Sequence, residues 1–353
     1  MSGKSSDFLD DYVLPRKSSE IIAANSADVK VNDEAVQILS HELAKYFTSS
    51  DRISLKSWKD CELHPWEKTD QTANFVFLMD LLNFSFWPDD PDNPFTVKFN
   101  GKLYTGYWSL LAALRTAQVE GKDICDATVM STITETELAN IFRSETTAGV
   151  PMLAERVAVL NQDGAALLKW FNGSFANCIR SCNRDAAQLV RVIADKFHSF
   201  RDICVFQNQK LSILKRAQIL VADIWCCFEG KGLGEFHNIE VLTMFADYRV
   251  PQALEFFGVL QYSSKLKEIL DRGDILDSGC LLEKEIRGCS IAGVERLTSH
   301  VKTIVKESNP EDVDALCRLI NPVTIDHFLW NYAKKHKDAM KHLPIHKIRT
   351  IFY

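Results

Sequence analysis

The chain has 353 residues, of which 46% are hydrophobic and 25% charged, with a formal net charge of −6 at pH 7. This composition is ordinary for a globular protein, and the length suits one large domain or two small ones. The acidic balance argues against duplex nucleic acid as the ligand, whereas a single nucleotide needs only one local basic cluster. No apolar run approaches the ~18 residues of a membrane span. Because no secretory signal is visible, we expect a cytoplasmic protein, with access to the nucleus left open.

Helical periodicity dominates the chain after a polar segment, residues 1–15, that we interpret as a flexible N-terminal arm. Asn32-Asp33-Glu34 opens an amphipathic helix, because apolar residues then recur three and four positions apart. Asn100-Gly101 suits a two-residue turn and predicts a β-hairpin over 95–104. We therefore predict a mainly α fold with one small β element, and treat residues 16–353 as a single domain. Further helices are predicted over 107–118, 151–170, 184–197, 212–228, 264–271, 284–306, 310–319 and 324–337.

Ten cysteines are scattered through amphipathic segments, which is typical of free thiols in a reducing compartment. Cys178 and Cys182 lie four apart on a predicted helix. No histidine pair at zinc-like spacing accompanies them, so burial in the core is favoured over a metal site. No cofactor is expected.

The segment Asn83-Phe-Ser-Phe-Trp87 places three aromatic residues within four positions, which cannot all face one side of a helix or strand. One interpretation is a buried corner of the core. The other is an aromatic wall for a flat, base-like ligand, because stacking suits any such ring. The pattern leaves both open.

Lys215-Arg216 begins an apolar helix that is interrupted by Gln218 and Asp223. A basic pair at a helix N-terminus can combine its charge with free backbone N–H groups to bind a phosphate. A solvated helix start is the alternative.

Two acidic residues occupy apolar surroundings further along the chain. Asp247 lies between Phe245 and Arg249, just before a proline, and such a carboxylate must be hydrogen-bonded, paired or functional. A helix cap or a pair with Arg249 is the structural alternative to catalysis. Asp326 shares a helix face with Trp330 and suits the paired N–H donors of an amidine-like base edge, or a simple cap or ion pair.

In this order, these segments resemble the queuosine salvage protein family over residues 18–353. The resemblance implies a helical fold related to DNA glycosylases, and hydrolysis of queuosine 5′-phosphate to queuine and ribose 5-phosphate. The matching pieces are Asn83-Phe-Ser-Phe-Trp87, Tyr104-Thr-Gly-Tyr-Trp-Ser109, Lys215-Arg-Ala-Gln-Ile-Leu-Val-Ala-Asp-Ile-Trp225, Thr243-Met-Phe-Ala-Asp-Tyr-Arg249, Glu285-Ile-Arg-Gly-Cys289 and Pro344-Ile-His-Lys-Ile-Arg349.

The resemblance also implies roles for individual residues. Asp247 aligns with the nucleophilic carboxylate, Phe245 with a base-contacting aromatic residue and His64 with a ring-stacking histidine. Asp326 aligns with an acceptor at the base edge. Where the family carries a further acidic residue, this chain has Asn331, so one base contact is altered.

The chemistry of the base explains why such a site needs a carboxylate. Queuine is a 7-deazapurine and lacks the ring nitrogen that ordinary purines protonate on departure. The enzyme must therefore stabilise a cationic sugar, which Asp247 can do by charge or by a covalent bond, while Asp247 or Asp223 guides water. Competing hypotheses are another nucleotide N-glycosidase, a DNA glycosylase, a non-catalytic queuine carrier that serves a tRNA-modifying enzyme, and a helical interaction protein.

Overall fold

The computed structural model describes residues 7–52, 54–55, 58, 61–65, 67–308 and 313–353. The described residues form a mainly helical protein with three small two-stranded antiparallel sheets, which confirms the predicted fold class. The α-helices are α1 Pro15–Asn25, α2 Asp33–Thr48, α3 Asp70–Leu81, α4 Tyr107–Val119, α5 Ala127–Thr132, α6 Glu135–Ile141, α7 Leu153–Phe171, α8 Phe175–Ser181, α9 Ala186–Lys196, α10 Lys215–Cys227, α11 Arg249–Phe256, α12 Ser264–Asp271, α13 Leu281–Ser308, α14 Val313–Leu319 and α15 Pro322–Lys335.

The strands are short and pair in three sheets, β1 with β6, β2 with β3 and β4 with β5. Short 3₁₀ helices lie at Phe8–Asp11, His198–Phe200, Gly232–Gly234 and Ile239–Val241. Within the described ranges, no helix combines the length and the hydropathy needed to cross a bilayer. The strands are β1 Val29–Val31, β2 Thr96–Phe99, β3 Lys102–Thr105, β4 Ile203–Phe206, β5 Gln209–Ser212 and β6 Leu260–Tyr262.

The chain divides into two compact units, each made of segments that are distant in sequence. The first unit comprises Met1–Ser54, Asp202–Gln218 and Ile239–Ile348, and the second comprises Leu55–Arg201, Ile219–Asn238 and Arg349–Tyr353. The treatment of 16–353 as one domain and of 1–15 as a flexible arm remains a prediction. Within the described part of that arm, Phe8–Asp11 forms a 3₁₀ helix and Val13 donates its N–H to the Lys210 carbonyl at 2.9 Å.

The long helix α13 organises the first unit. Its 28 residues pack against α1, α2, α11, α14 and α15. Its apolar face buries Val294, Leu297 and Val301 against Leu43 and Phe47 of α2 and their neighbours in one hydrophobic cluster. Full burial of each such side chain is worth about 1.5–3 kcal/mol, so this face of α13 stabilises the unit.

A glycine lets α1 lie directly against α13. A Cβ atom placed on Gly288 would lie 2.5 Å from Ile22 Cγ2 and 2.6 Å from Ile22 Cβ. No real Cβ atom tolerates such contacts, so the absence of a side chain at Gly288 sets the spacing of the two helices.

The second unit has its own aromatic core and a corner held by arginines. Ring contacts join Phe77 and Phe197 to each other and to both Phe175 and Phe200. In the predicted aromatic segment 83–87, Phe84 and Trp87 are buried. Arg156 lies 4.2 Å from the Phe84 ring centroid, and Arg349 lies 3.4 Å from that of Trp87. The interpretation of a buried corner is therefore confirmed.

Local sequence signals predicted the local elements well. The hairpin of β2 and β3 turns at Asn100 and Gly101, whose φ angles are +48° and +79°, and the eight predicted helices overlap α4, α7, α9, α10, α12, α13, α14 and α15. Two further small sheets were not predicted, because β4–β5 turns at Gln207-Asn208 without a glycine and β1 pairs with the distant β6. Cys178 and Cys182 are buried, as expected.

Gly288→Ala should lower the free energy of unfolding by up to about 2 kcal/mol, because overpacking costs about 1–3 kcal/mol and offsets the ~1 kcal/mol gained in helix propensity. Gly293→Ala, in the same helix, is the matched control: its Cβ would lie 3.2 Å from Val259 Cγ1. Chemical denaturation of both variants measures the difference. A Gly288→Ala protein at least as stable as the wild type would contradict this packing account.

The carboxyl of Glu255 on α11 should make stability depend on pH. Burial, opposed by Lys267 and aided by Asp271, raises the pKa of Glu255 from 4.5 to about 7. Because the folded pKa exceeds the unfolded one, the stabilisation is complete below pH 4.5 and is lost as pH rises through 7. Glu255→Gln should therefore gain stability relative to wild type between pH 4.5 and 8, by about 1–2 kcal/mol after solvent screening. Thermal denaturation of both proteins across this pH range measures the difference in stability. A stability difference that does not vary with pH would refute the prediction.

Candidate active site

The segment Thr243–Asp247, here called the site segment, runs between the 3₁₀ helix Ile239–Val241 and α11 without regular secondary structure. Its residues are buried through Ala246, so its backbone polar groups need partners inside the protein. Side chains supply them. The N–H of Thr243 donates to Gln218 Oε1 at 2.8 Å, and the N–H of Phe245 donates to Asp326 Oδ2 at 2.8 Å.

Arg287 of α13 holds the opposite edge of the site segment. Its Nε donates to the Ala246 carbonyl at 2.9 Å. Its two Nη atoms bind both carboxylate oxygens of Asp202, at 2.9 and 2.6 Å. Both side chains are buried, so this is a bidentate ion pair in a low-dielectric surrounding, where such hydrogen bonds are strong.

Asp247 ends the site segment, two residues before α11 begins at Arg249. Its Oδ1 accepts hydrogen bonds from the backbone N–H groups of Arg249, at 2.7 Å, and Val250, at 2.9 Å. The helix cap predicted as the structural alternative is therefore present, and it involves the main chain of Arg249. Among the described residues no hydrogen bond to Oδ2 is found. Since Asp247 is only partly buried, capping occupies one oxygen and leaves the other available for chemistry.

Three predicted site residues, Asp326, Trp330 and Asn331, lie on α15. Asp326 is buried and uses Oδ2 to bind the Phe245 backbone, so it positions the site segment whatever else it contacts. Asn331 is exposed, and its Nδ2 lies 3.0 Å from Nδ1 of His327. Burial lowers the pKa of His327 to about 4, so this imidazole is neutral at pH 7 and can accept from the amide. Trp330 is partly buried against the core of the first unit.

The basic pair at the start of α10 is not a solvated surface. Lys215 and Arg216 are both buried, so that alternative was wrong. The N–H of Lys215 already donates to Asp202 Oδ2 at 3.0 Å. A phosphate bound here would therefore rely on the side-chain charges or on other N–H groups.

The second unit contains a separate polar cluster around His64. The His64 ring stacks on Trp58 with centroids 3.9 Å apart. Its Nδ1 lies 2.6 Å from the Trp58 carbonyl, so Nδ1 must carry the proton, and its Nε2 faces the Tyr107 hydroxyl at 3.1 Å. The Trp58 indole N–H donates to Asp223 Oδ1 at 3.1 Å, which links the two predicted residues His64 and Asp223 through Trp58.

Tyr107 stays protonated in this cluster. Burial, and then the negative charge of Asp223, raises the pKa of Tyr107 well above its ordinary value. Its hydroxyl is thus a hydrogen-bond donor at neutral pH. The two ring nitrogens of His64 are thus both engaged, at the Trp58 carbonyl and the Tyr107 hydroxyl, which fixes the orientation of the ring.

The predicted site residues thus fall into two groups. The second unit holds His64 and Asp223, and the first unit holds Phe245, Asp247, Asp326, Trp330, Asn331, Lys215 and Arg216. The sequence analysis assigned no role to Arg287, Asp202 or Trp58. A lone arginine beside a glycine in an apolar helix was the available signal for Arg287, but its partners lie 41 and 85 positions away.

Comparison with known proteins shows the family of this chain. Residues 63–353 match the family model described as queuosine salvage protein. A protein of Nematostella vectensis is 44% identical over 97% of this chain and 99% of its own length. A protein of Bos taurus is 39% identical over 98% of this chain and 100% of its own length. A protein of Schizosaccharomyces pombe is 35% identical over 96% of this chain and 99% of its own length. Each of the three is named queuosine 5′-phosphate N-glycosylase/hydrolase. This chain belongs to the queuosine salvage protein family.

Proposed function

We propose that this chain hydrolyses the N-glycosidic bond of queuosine 5′-phosphate and releases queuine and ribose 5-phosphate. The names of its relatives support the substrate and the reaction type. The observation that carries the proposal is the state of Asp247, which has one carboxylate oxygen anchored by two backbone N–H groups and the other without a hydrogen bond from the described residues.

The reaction follows from the chemistry of this carboxylate. The bond between the anomeric carbon and the base nitrogen breaks, and its electron pair leaves with the base, which takes up a proton. Asp247 Oδ2 stabilises the cationic sugar or bonds to the anomeric carbon. Water then adds at that carbon and gives up a proton, so that one substrate and one water yield queuine and ribose 5-phosphate.

Anchoring of Oδ1 makes Asp247 a preorganised group. Two donors at the start of α11 restrict rotation of the carboxylate, and the helix N-terminus favours its negative charge. A charge that is already oriented toward the developing cation needs no reorganisation during the reaction. The cap and the catalytic role are therefore compatible.

The remaining predicted residues would bind the substrate. Phe245 would stack on the deazapurine plane, and Asp326, which binds the Phe245 backbone through Oδ2, would accept from the base edge. The stacking role that the family resemblance implies for His64 stays a prediction. Asn331 replaces an acidic contact expected from the family resemblance.

Phosphate binding by the buried Lys215 and Arg216 would use remote binding energy to position the sugar. A role of Asp223 in guiding water stays a prediction; its Oδ1 accepts a hydrogen bond from the Trp58 indole N–H.

Incubation with queuosine 5′-phosphate, queuosine and guanosine 5′-phosphate should release free base from the first substrate alone, or at least about 100-fold faster from it, because bound phosphate positions the sugar. Mass spectrometry of the released base is the measurement. Tight queuine binding without turnover of any substrate would instead support a carrier. Faster base release from duplex DNA would support a DNA glycosylase, which the net charge of −6 disfavours.

Asp247→Asn should lower kcat by about 10³-fold or more while queuine affinity stays within about threefold, because the amide lacks the negative charge. The amide oxygen still accepts from Arg249 and Val250, and asparagine caps helices as well as aspartate does, so stability should be unchanged.

Asp247→Ala is the matched comparison for the helix cap. Alanine removes both the negative charge and the helix cap, so this variant should lose turnover and also about 0.5–2 kcal/mol of stability. Calorimetry and steady-state kinetics on both variants separate the two roles. Turnover retained in Asp247→Asn would rule out the proposed role of the charge.

A further inference from the structure

We propose that Arg287, held by Asp202, is a positioning residue for Asp247, and that it acts through the Ala246–Asp247 peptide group. This inference rests on the proposed function of Asp247. It adds a determinant of reaction rate that touches neither the sugar nor the base.

The two ends of the Ala246–Asp247 peptide are both fixed. Its carbonyl accepts from Arg287 Nε at 2.9 Å, and its N–H donates to the Phe245 carbonyl at 2.7 Å in a tight three-residue turn. A peptide group is planar, so fixing both ends fixes the orientation of the whole plane. The plane sets where the Asp247 Cα atom lies and where its side chain starts. The carboxylate then reaches the N-terminus of α11 from a defined position.

Arginine is suited to this task in a way that lysine is not. The guanidinium uses its two Nη atoms on Asp202 and keeps Nε, on the same rigid plane, for Ala246. A single ammonium on a flexible stem cannot reproduce this fork geometry. Because desolvation offsets much of the attraction in a buried ion pair, the Arg287–Asp202 pair contributes geometry rather than net stability.

Asp202 holds Arg287 from a part of the first unit that is neither α13 nor the site segment: it directly precedes β4. The backbone carbonyl of Asp202 accepts from Ile213 at 3.0 Å and Leu214 at 3.2 Å, and its Oδ2 accepts from Lys215 at 3.0 Å. The guanidinium is thus anchored to a carboxylate that is itself fixed by hydrogen bonds on both its backbone and its side chain.

Loss of the Arg287 contact should therefore impair the chemical step more than substrate binding. A misplacement of a reacting group by about 1 Å costs on the order of 100-fold in rate. The groups proposed to bind base and phosphate lie on other residues, so KM should change little. A merely structural role would instead lower the amount of folded protein and leave kcat per folded molecule unchanged.

The test is steady-state kinetics of Arg287→Lys with queuosine 5′-phosphate, corrected for folded fraction. We expect kcat to fall about 10–100-fold with KM within about twofold. Val301→Ala is the matched control, since it removes buried volume from the same helix about 21 Å away along its axis. It should lower stability with kcat unchanged. A kcat of Arg287→Lys equal to that of Val301→Ala would overturn the proposal.

A second variant decides the matter if Arg287→Lys does not fold. Asp202→Asn keeps the shape of the side chain and an acceptor for Arg287, but loosens the anchor, so kcat should fall about 3–10-fold with KM within about twofold. An unchanged kcat would overturn the positioning role. If the wild-type protein releases no base at all, the proposed function fails instead, so the two failures are distinguishable.

Discussion

A buried chain segment without regular secondary structure persists only if side chains take up its backbone hydrogen bonds, and Thr243–Asp247 depends on this constraint. The helices contribute one side chain each: Gln218 from α10, Arg287 from α13 and Asp326 from α15. Since these helices are distant in sequence, the segment acquires its shape only when the first unit has packed. The geometry of Asp247 is thus a property of that whole unit.

Asp247 itself combines a structural and a chemical capacity because a carboxylate has two oxygens. One oxygen caps α11, and the other makes no hydrogen bond with the described residues. The cap therefore orients the carboxylate and does not compete with a catalytic role. Asp326 binds the Phe245 backbone through Oδ2 and is also the predicted acceptor for the base edge.

Local signals predicted the local parts of this fold and could not predict the rest. Asn100-Gly101 predicted its hairpin because a two-residue turn is encoded by its own residues. The pairing of β1 with β6 leaves no such signal, because each strand has only three residues and the two are far apart in the sequence. The predicted site residues came from the resemblance and from buried charges. The partnership of Arg287 with Asp202 has no local pattern, since 85 positions separate them.

The first measurement to make is hydrogen exchange of the site segment in the wild-type protein. The N–H groups of Thr243, Phe245 and Asp247 are hydrogen-bonded at 2.8, 2.8 and 2.7 Å although none lies in a helix or strand. The account predicts that these amides exchange at least about 100-fold more slowly than those of the exposed turn 88–94, and open together with α13. Exchange as fast as in that turn would contradict the account, because a segment that opens freely cannot hold Asp247 in place.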